Sequence, residues 1–184
     1  ETIRAVLSEV EADAIVSAAA YTAVDKAESE EALAFRVNAD GPAALARVAS
    51  EIGIPIVHLS TDYVFSGDRT GLYVETDPTG PLSVYGRSKL EGEQAIAAAH
   101  PNHAILRTTW IYSPFGTNFL KTMLRTARAS DTINVVADQW GTPTSAFDIA
   151  DAAIAVAKRL CSDPDPRLRG VFHLTGRGEA TWAD

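Results

Sequence analysis

Short apolar runs of strand length alternate with helical segments along the chain, and this alternation restricts the fold more than any other feature. The continuous apolar runs at residues 54–59 and 103–108 are typical of strands that are buried on both faces. Segments 30–52 and 145–160 instead show helical periodicity. The pattern therefore predicts an α/β fold, a doubly wound parallel sheet of the Rossmann-like type.

The boundaries of the elements follow from periodicity and from capping residues. Strands are predicted at residues 13–20, 54–59, 103–108, 133–136 and 171–174. Helices are predicted at residues 1–10, 30–52, 81–99, 118–129 and 145–160. Gly53 is a typical helix terminator, and Ser145 is a typical helix cap. Ligands of such folds bind beyond the carboxyl ends of the strands, so the residues that directly follow each strand form the candidate site.

Length, charge and cysteine content exclude several classes of protein. The chain has 184 residues, enough for one core, and we expect a single domain over residues 1–184. Its net charge is −8 and no cluster of Lys or Arg stands out, so no nucleic-acid partner is expected. No apolar run is long enough to span a bilayer, so no membrane partner is expected. The single cysteine, Cys161, favours a reducing, cytoplasmic setting, and because the chain begins with Glu1 we expect it to be part of a longer protein.

Tyr85 and Lys89 lie four residues apart in a segment with helical periodicity, which puts their side chains on the same face of a helix. A phenol titrates near pH ~10, and a neighbouring cation lowers its pKa. The pair is therefore a candidate acid/base unit, in which Tyr85 carries the proton and Lys89 tunes it. The same spacing also occurs on ordinary exposed helices, so the pair alone does not establish catalysis.

Small, polar or aromatic residues follow the predicted strands. They are Ala18, Ala19 and Ala20 after the first strand, Ser60, Thr61, Asp62 and Tyr63 after the second, Thr108, Thr109 and Trp110 after the third, and residues 138–144 after the fourth. Alanines would let a flat ligand approach the backbone, hydroxyl groups can bond a substrate oxygen, and a tryptophan can form the wall of a pocket. The same residues suit tight packing, a capped turn and a buried aromatic ring, so each set alone leaves both interpretations open.

Four other residues receive a structural interpretation. His58 lies within an apolar strand and is interpreted as a core histidine with satisfied hydrogen bonds. Arg107 ends a strand, where we expect it to pair with a carboxylate. Glu91 and Glu93 are interpreted as part of a solvated helix face. No His or Cys spacing indicates a metal site.

Two motifs together resemble the extended short-chain dehydrogenase/reductase superfamily. They are Ser60-Thr61-Asp62-Tyr63-Val64-Phe65 and Tyr85-Gly86-Arg87-Ser88-Lys89. Segments 18–28, 107–112 and 138–144 narrow the resemblance to the dTDP-4-dehydrorhamnose reductase family. The resemblance extends from residue 13 to residue 182, and its motifs are specific in combination.

The resemblance implies an enzyme that reduces the C4 ketone of dTDP-4-dehydro-L-rhamnose with NADPH or NADH, in nucleotide-sugar biosynthesis for cell-surface polysaccharides. The implied catalytic residues are Tyr85, Lys89 and Thr61. The implied cofactor-binding residues are Ala18, Ala19, Ala20, Leu59, Tyr85 and Lys89. The implied substrate-binding residues are Thr61, Asp62, Tyr63, Trp110 and Asn118, within or near substrate-binding segments at residues 110–130 and 138–145. A homodimer fits the resemblance, and although some relatives hold a metal such as Mg²⁺, no acidic spacing in this chain supports one.

One departure and two alternatives remain. The family begins with a strand and a Gly-rich turn that holds the dinucleotide pyrophosphate at a helix N-terminus, and this chain lacks that turn. The residue that distinguishes NADPH from NADH belongs to the same region, so both cofactors stay open.

One alternative function is an NAD-dependent nucleotide-sugar epimerase or dehydratase, against which Trp110 and residues 138–144 favour the reductase. The other is a non-catalytic regulatory subunit of the methionine adenosyltransferase type, against which Thr61 and Trp110 argue.

Overall fold

The computed structural model describes residues 2–184, except for the side chain of Ser8. The strands are β1 (Ile15–Ser17), β2 (Ile56–Thr61), β3 (His103–Thr108), β4 (Ile111–Tyr112), β5 (Trp140–Gly141), β6 (Thr144–Ser145), β7 (Gly170–His173) and β8 (Ala180–Thr181). The α-helices are α1 (Thr2–Val10), α2 (Val24–Ala27), α3 (Glu31–Phe35), α4 (Gly41–Ile52), α5 (Val84–Ala99), α6 (Phe119–Ala127) and α7 (Ala146–Ser162). Arg36–Asp40 forms a π-helical segment, and Asp62–Val64 and Pro166–Leu168 form 3₁₀ turns.

The chain divides into two compact units. The first runs up to Arg107 and includes Ala153–His173, and the second comprises Thr108–Ala152 and Leu174–Asp184. The main sheet has the strand order β1-β2-β3-β7. Strand β1 pairs in parallel with β2, and β3 pairs in parallel with β7. The predicted α/β fold with a parallel, Rossmann-like sheet is therefore confirmed.

The core of the first unit lies between this sheet and helices α4 and α5. Its buried members are Ile15, Ala46, Ala49, Ile56, Ile96 and Ile105. Each fully buried isoleucine contributes about 1.5–3 kcal/mol to folding. Small residues let α5 approach its neighbours closely, because a Cβ atom at Gly92 would lie 2.1 Å from the backbone oxygen of Asn38. This packing fixes the position of the helix that carries Tyr85 and Lys89.

One predicted strand is wrong. Residues 133–136 have no regular secondary structure, and Val136 is exposed. A short apolar run is compatible with a strand but does not supply the hydrogen-bonded neighbour that a strand requires. The other four predicted strands are confirmed as β1, β2, β3 and β7; β3 has the predicted boundaries, and the boundaries of the other three are shifted by up to a few residues. Residues 138–144 therefore do not follow a strand of the main sheet, and instead contain β5 and the start of β6.

The helix predictions are confirmed with three corrections. The segment at 30–52 is a helix interrupted by the π-helical Arg36–Asp40, and it ends as predicted at Gly53, whose φ is 76°. The helix predicted from residue 81 begins at Val84, because Ser83 caps it by accepting the backbone N–H of Gly86. The short helix α2 lies after β1, where no helix was predicted. The predicted cap Ser145 accepts the backbone N–H of Phe147 at 3.2 Å.

The second unit has its own aromatic packing. Strand β4 pairs in parallel with β6, and β5 pairs antiparallel with β8. The ring of Trp110 stacks on the ring of Trp182, with the ring centroids 3.7 Å apart. The ring of Phe119 packs against Trp182 as well, with the ring centroids 4.3 Å apart. Gly141 is required beside Trp110, because a Cβ atom there would lie 2.3 Å from the indole. None of the helices within residues 2–184 is long and apolar enough to cross a membrane.

Candidate active site

Tyr85 and Thr61 meet where the carboxyl end of β2 approaches the first turn of α5. The hydroxyl of Thr61 lies beside the phenol of Tyr85 and acts to lower its pKa. The hydroxyl of Thr61 also donates to the carboxylate of Asp62 at 3.0 Å and accepts the backbone N–H of Tyr63 at 3.2 Å. The ring of Tyr63 contacts the ring of Tyr85 edge-on, with centroids 5.5 Å apart. Four of the predicted site residues therefore form one group at the end of a central strand.

The close approach of α5 to this strand end depends on a glycine. A Cβ atom at Gly86 would lie 2.2 Å from the backbone oxygen of Tyr63 and 2.9 Å from Cβ of Pro81. Because only glycine leaves that space, the turn after β2 packs directly on the backbone of α5. The neighbouring residue, Tyr85, is thereby held against Thr61.

The prediction that Lys89 lowers the pKa of Tyr85 was wrong, because the pKa is raised. Burial raises the pKa of the Tyr85 phenol to about 12, the hydrogen bond with Thr61 opposes this rise, and the charge of Asp62 adds to it. The ammonium of Lys89, expected to lower this pKa, points instead toward the backbone of β2. The phenol therefore keeps its proton at neutral pH, which suits a group that donates a proton to a substrate.

Lys89 is almost completely buried, with 2% of its surface exposed. Its Nζ donates to the backbone oxygen of Leu59 at 2.7 Å and lies 3.1 Å from Nε2 of His58. Burial lowers the pKa of Lys89 to about 8, and the nearby carboxylate of Glu93 opposes that shift. An ammonium has three N–H donors, so one of them is left for a further acceptor after these two contacts.

His58 is confirmed as a core histidine with satisfied hydrogen bonds. Because the ammonium of Lys89 can only donate, Nε2 of His58 accepts and Nδ1 carries the proton. That proton is donated to the hydroxyl of Ser17, 3.0 Å away. Burial, followed by the charge of Lys89, lowers the pKa of His58 to about 3. The neutral imidazole thus joins β1, β2 and α5 directly beneath the candidate site.

The alanines after β1 present little side chain. Ala18 and Ala19 are exposed and Ala20 is half-buried, which leaves their backbone accessible.

Asn38, which was not predicted as a site residue, holds Tyr21, the residue that follows these alanines, in place. Its side chain accepts the backbone N–H of Tyr21 at 2.8 Å and donates to Tyr21 O and to the hydroxyl of Ser88 on α5.

Asn38 could have been identified from the sequence, because it is a polar residue on a helix face whose other residues are small and apolar. Its neighbours on that face, Ala34, Ala39 and Pro42, are buried. A polar side chain that is buried among such residues normally has hydrogen-bond partners, and in this case they come from a loop and from α5. Asn38 therefore joins the segment after β1 to the helix of Tyr85 and Lys89.

The interpretation of Glu93 as solvated was wrong, whereas Glu91 is exposed as predicted. Glu93 is 3% exposed, and its carboxylate accepts Nη2 of Arg107 at 2.7 Å and Nε at 3.0 Å. The hydroxyl of Ser60 donates to the same carboxylate. The expected pairing of Arg107 with a carboxylate is thus confirmed. The spacing of residues 85, 89 and 93 placed Glu93 on the inner face of α5, and this was the signal that could have identified it.

The remaining predicted site residues, Trp110 and Asn118, belong to the second unit. Trp110 is half-buried, adopts a left-handed backbone with φ 44°, and stacks on Trp182. Asn118 caps α6: its side-chain oxygen accepts the backbone N–H of Lys121, and its amide donates to the backbone oxygen of Ser113 at 2.7 Å. Their roles toward a substrate stay predictions. Within residues 2–184, no group of three or more His, Cys, Asp or Glu side chains is arranged to hold a metal ion.

Comparison with known proteins places these observations in a family. The sequence model described as the RmlD substrate binding domain matches residues 1–184. The chain is 58% identical over 182 residues to a dTDP-4-dehydrorhamnose reductase from Sinorhizobium fredii, covering 99% of this chain and 62% of that protein.

Solved structures agree with this comparison. A crystal structure of a dTDP-4-dehydrorhamnose reductase from Clostridium acetobutylicum superposes with a TM-score of 0.91 at 39% identity, over 98% of this chain and 61% of that one. A dTDP-4-dehydrorhamnose reductase from Bacillus anthracis, in complex with NADP, superposes with a TM-score of 0.88 at 38% identity, over 98% of this chain and 62% of that one. The chain thus spans less than two thirds of the length of these relatives.

Proposed function

The chain belongs to the RmlD substrate binding domain family, and from this membership we propose that the protein containing it reduces the C4 ketone of dTDP-4-dehydro-L-rhamnose to give dTDP-L-rhamnose. The proposed reductant is NADPH or NADH. The observation that carries the proposal is the placement of the Tyr85 phenol beside the Thr61 hydroxyl at the carboxyl end of β2, with Lys89 one helical turn further along α5. The names of the relatives from Sinorhizobium fredii and Clostridium acetobutylicum support the substrate.

The residues present suit a nicotinamide cofactor. The accessible backbone at Ala18, Ala19 and Ala20 follows a strand of the parallel sheet, where dinucleotides bind in such folds. The remaining N–H donor of Lys89 suits a ribose hydroxyl, and Leu59 supplies the backbone oxygen that orients this ammonium. The complex of the Bacillus anthracis relative with NADP supports the choice of cofactor. When bound, the nicotinamide supplies the hydride that reduces the ketone carbon.

The chain's own residues would complete the reduction by handling the ketone oxygen. Tyr85 donates its phenolic proton to that oxygen as negative charge develops there, since its raised pKa keeps the proton available at neutral pH. Thr61 would donate its hydroxyl proton to the same oxygen, in place of Asp62, and orient the ketone. Lys89, still largely charged at neutral pH, would hold the nicotinamide ribose through its remaining N–H donor and so position the hydride. Asp62 and Tyr63 border this group and would contact the sugar.

Further contacts to the sugar nucleotide are proposed for the second unit. Trp110 and Asn118 are the candidate residues, within substrate-binding segments at residues 110–130 and 138–145. The treatment of residues 1–184 as one nucleotide-binding domain, a homodimer and a cytoplasmic location also stay predictions.

The test is to incubate the purified protein with dTDP-4-dehydro-L-rhamnose and NADPH, following NADPH oxidation by ultraviolet absorbance and the product by chromatography. We expect one cofactor to be oxidised for each dTDP-L-rhamnose formed, and Tyr85→Phe serves as the matched inactive control. Conversion of a nucleotide sugar without net cofactor consumption would indicate the epimerase or dehydratase alternative. No conversion of the ketone, with a stoichiometric protein partner recovered, would indicate a regulatory subunit.

A further inference from the structure

A buried carboxylate joins three elements of the first unit beside the candidate site. Glu93 lies on the same face of α5 as Tyr85 and Lys89, two turns and one turn away respectively. Its carboxylate accepts the hydroxyl of Ser60, on β2, at 2.5 Å, and the guanidinium of Arg107, on β3, at 2.7 Å. Because Ser60 directly precedes Thr61, this carboxylate links the helix of Tyr85 to the strand of Thr61.

Stability alone is a weak explanation for this arrangement. The side chains of Arg107 and Glu93 are 6% and 4% exposed. Burying an ion pair removes both charges from water, and replacing such a pair with apolar residues is often neutral or stabilising. A buried pair does impose a specific geometry, because the planar guanidinium must meet the carboxylate with two aligned hydrogen bonds. The pair fixes β3 against α5, and the hydrogen bond from Ser60 fixes β2 against the same carboxylate.

We propose that Glu93 is a positioning residue for the reduction: its carboxylate holds the carboxyl end of β2 against α5, so that the Thr61 hydroxyl stays beside the Tyr85 phenol. This inference rests on the proposed function for its catalytic consequence. Its structural consequence, the distance between the hydroxyl groups of Tyr85 and Thr61, is measured without any substrate.

Glu93 has a second effect on the site through charge. Lys89 is faced by His58 and by the backbone oxygen of Leu59 from β2, and by Glu93 from its own helix. The carboxylate raises the pKa of Lys89 against the effect of burial. Removing the negative charge at position 93 therefore lowers the pH at which Lys89 loses its proton. A role confined to packing would leave that pH unchanged.

The first experiment removes only the link to β2. Ser60→Ala leaves the Arg107–Glu93 pair intact, and Ser50→Ala, at an exposed position on α4, is the matched control. We expect kcat of Ser60→Ala to fall about 10- to 100-fold with KM little changed, as for a small misplacement of reacting groups. We also expect its crystal structure to show the Thr61 hydroxyl moved away from the Tyr85 phenol, while Ser50→Ala retains both kcat and the distance between the two hydroxyl groups.

The second experiment removes the charge. Glu93→Gln should shift the alkaline limb of the kcat–pH profile to lower pH, whereas Glu91→Gln, exposed on the same helix, should leave it in place. Glu93→Gln leaves the Arg107 charge buried and unpaired, so the double variant Glu93→Leu with Arg107→Met is prepared beside it. The folded double variant should show the reduced kcat, because an apolar side chain at position 93 offers the Ser60 hydroxyl no acceptor and the link to β2 is lost.

The outcomes separate this inference from the proposed function. Wild-type kcat and an unchanged distance between the Tyr85 and Thr61 hydroxyl groups, in folded Ser60→Ala and in the folded double variant, would overturn the positioning role. If the wild-type protein did not reduce the ketone, the proposed function would fail, and the crystal structures would still decide the positioning role. In that case a longer distance in Ser60→Ala supports the role of Glu93, and an unchanged distance overturns it.

Discussion

The ammonium of Lys89 lies 3.1 Å from Nε2 of His58 and 2.7 Å from the backbone oxygen of Leu59, so this buried cation is tied to strand β2. Its partner imidazole must be neutral, because Nε2 has to accept a hydrogen bond. The lysine proposed for cofactor binding is thus oriented by groups on β2, which leaves one N–H donor for a ligand.

His58 should remain neutral far into the acid range. Its pKa is lowered to about 3 by burial and by Lys89, so the folded state binds fewer protons than the unfolded state between about pH 3 and 6.5. Its contribution to stability is therefore fully present above pH ~6.5 and is lost as the pH falls toward 3, by about 1.4 kcal/mol for each pH unit. NMR titration of the imidazole tests this, with His58→Gln to assign the resonance. A midpoint near 6.5 in the folded protein would contradict the buried contact.

Lys89→Met should weaken both turnover and cofactor binding. The variant removes the donor proposed for the ribose hydroxyl, and with it the group that would position the nicotinamide for hydride transfer. Hydrogen bonds to charged groups contribute about 1.5–3 kcal/mol, so the Kd for NADPH should rise about 10- to 100-fold. Isothermal titration calorimetry measures it, with Lys158→Met, at an exposed position on α7, as control. Unchanged affinity would count against Lys89 as the ribose contact.

Tyr85→Phe should lower kcat by about 10²- to 10⁴-fold, the usual contribution of a positioned general acid. The fold should survive, because the hydroxyl of Thr61 keeps its hydrogen bond to Asp62. Circular dichroism verifies folding, and steady-state kinetics measures the loss. Tyr73→Phe, in the exposed loop after β2, is the control and should retain its turnover. Near-normal reduction by Tyr85→Phe would remove this residue from the proposed role.

Gly86→Ala should separate α5 from the turn after β2. The added methyl group would meet the backbone oxygen of Tyr63 at 2.2 Å, a contact that backbone atoms cannot relieve cheaply. We expect a loss of about 1–3 kcal/mol in the free energy of unfolding, as for other overpacked sites, together with reduced turnover. Gly80→Ala is the control, because its methyl group would meet only Cβ of Ser66, at an ordinary 3.7 Å. Equal urea midpoints for the two variants would refute the close approach.

Arg107→Met should destabilise the protein strongly, since it leaves the carboxylate of Glu93 buried without its partner. Loss of one partner from a buried ion pair typically costs about 3–5 kcal/mol. Arg159→Met breaks a surface pair, in which Arg159 is 65% exposed, and should cost about 1 kcal/mol or less. Urea denaturation of both variants gives the comparison. Similar losses for the two would show that Glu93 is solvated in solution.

Much of the fold was predictable because its signals are local. The strand at 103–108 was placed correctly to the residue, and Gly53 and Ser145 end and begin helices as their conformational preferences indicate. The strand predicted at 133–136 failed because an apolar run also suits an irregular, half-buried segment, and only a hydrogen-bonded neighbour makes it a strand. Periodicity contains no information about that neighbour.

The candidate site was predictable in its composition but not in its electrostatics. Tyr85, Lys89 and Thr61 were identified from spacing and motif, and the structure places the three where β2 meets α5. The direction of the pKa shift at Tyr85 was wrong, because it depends on how deeply the phenol is buried. Asn38 and Glu93 were missed because their hydrogen-bond partners lie far from them in the sequence.

The linear order of residues was sufficient to specify the α/β class, the helix that carries Tyr85 and Lys89, and the face that they share, because helix periodicity and capping act over a few residues. The folded chain alone decided which charges are buried. Glu93 and Arg107 meet across 14 positions of sequence, and His58 and Lys89 across 31. Desolvation and ion pairing arise from such distant contacts, so the ionisation of the site is a property of the tertiary structure.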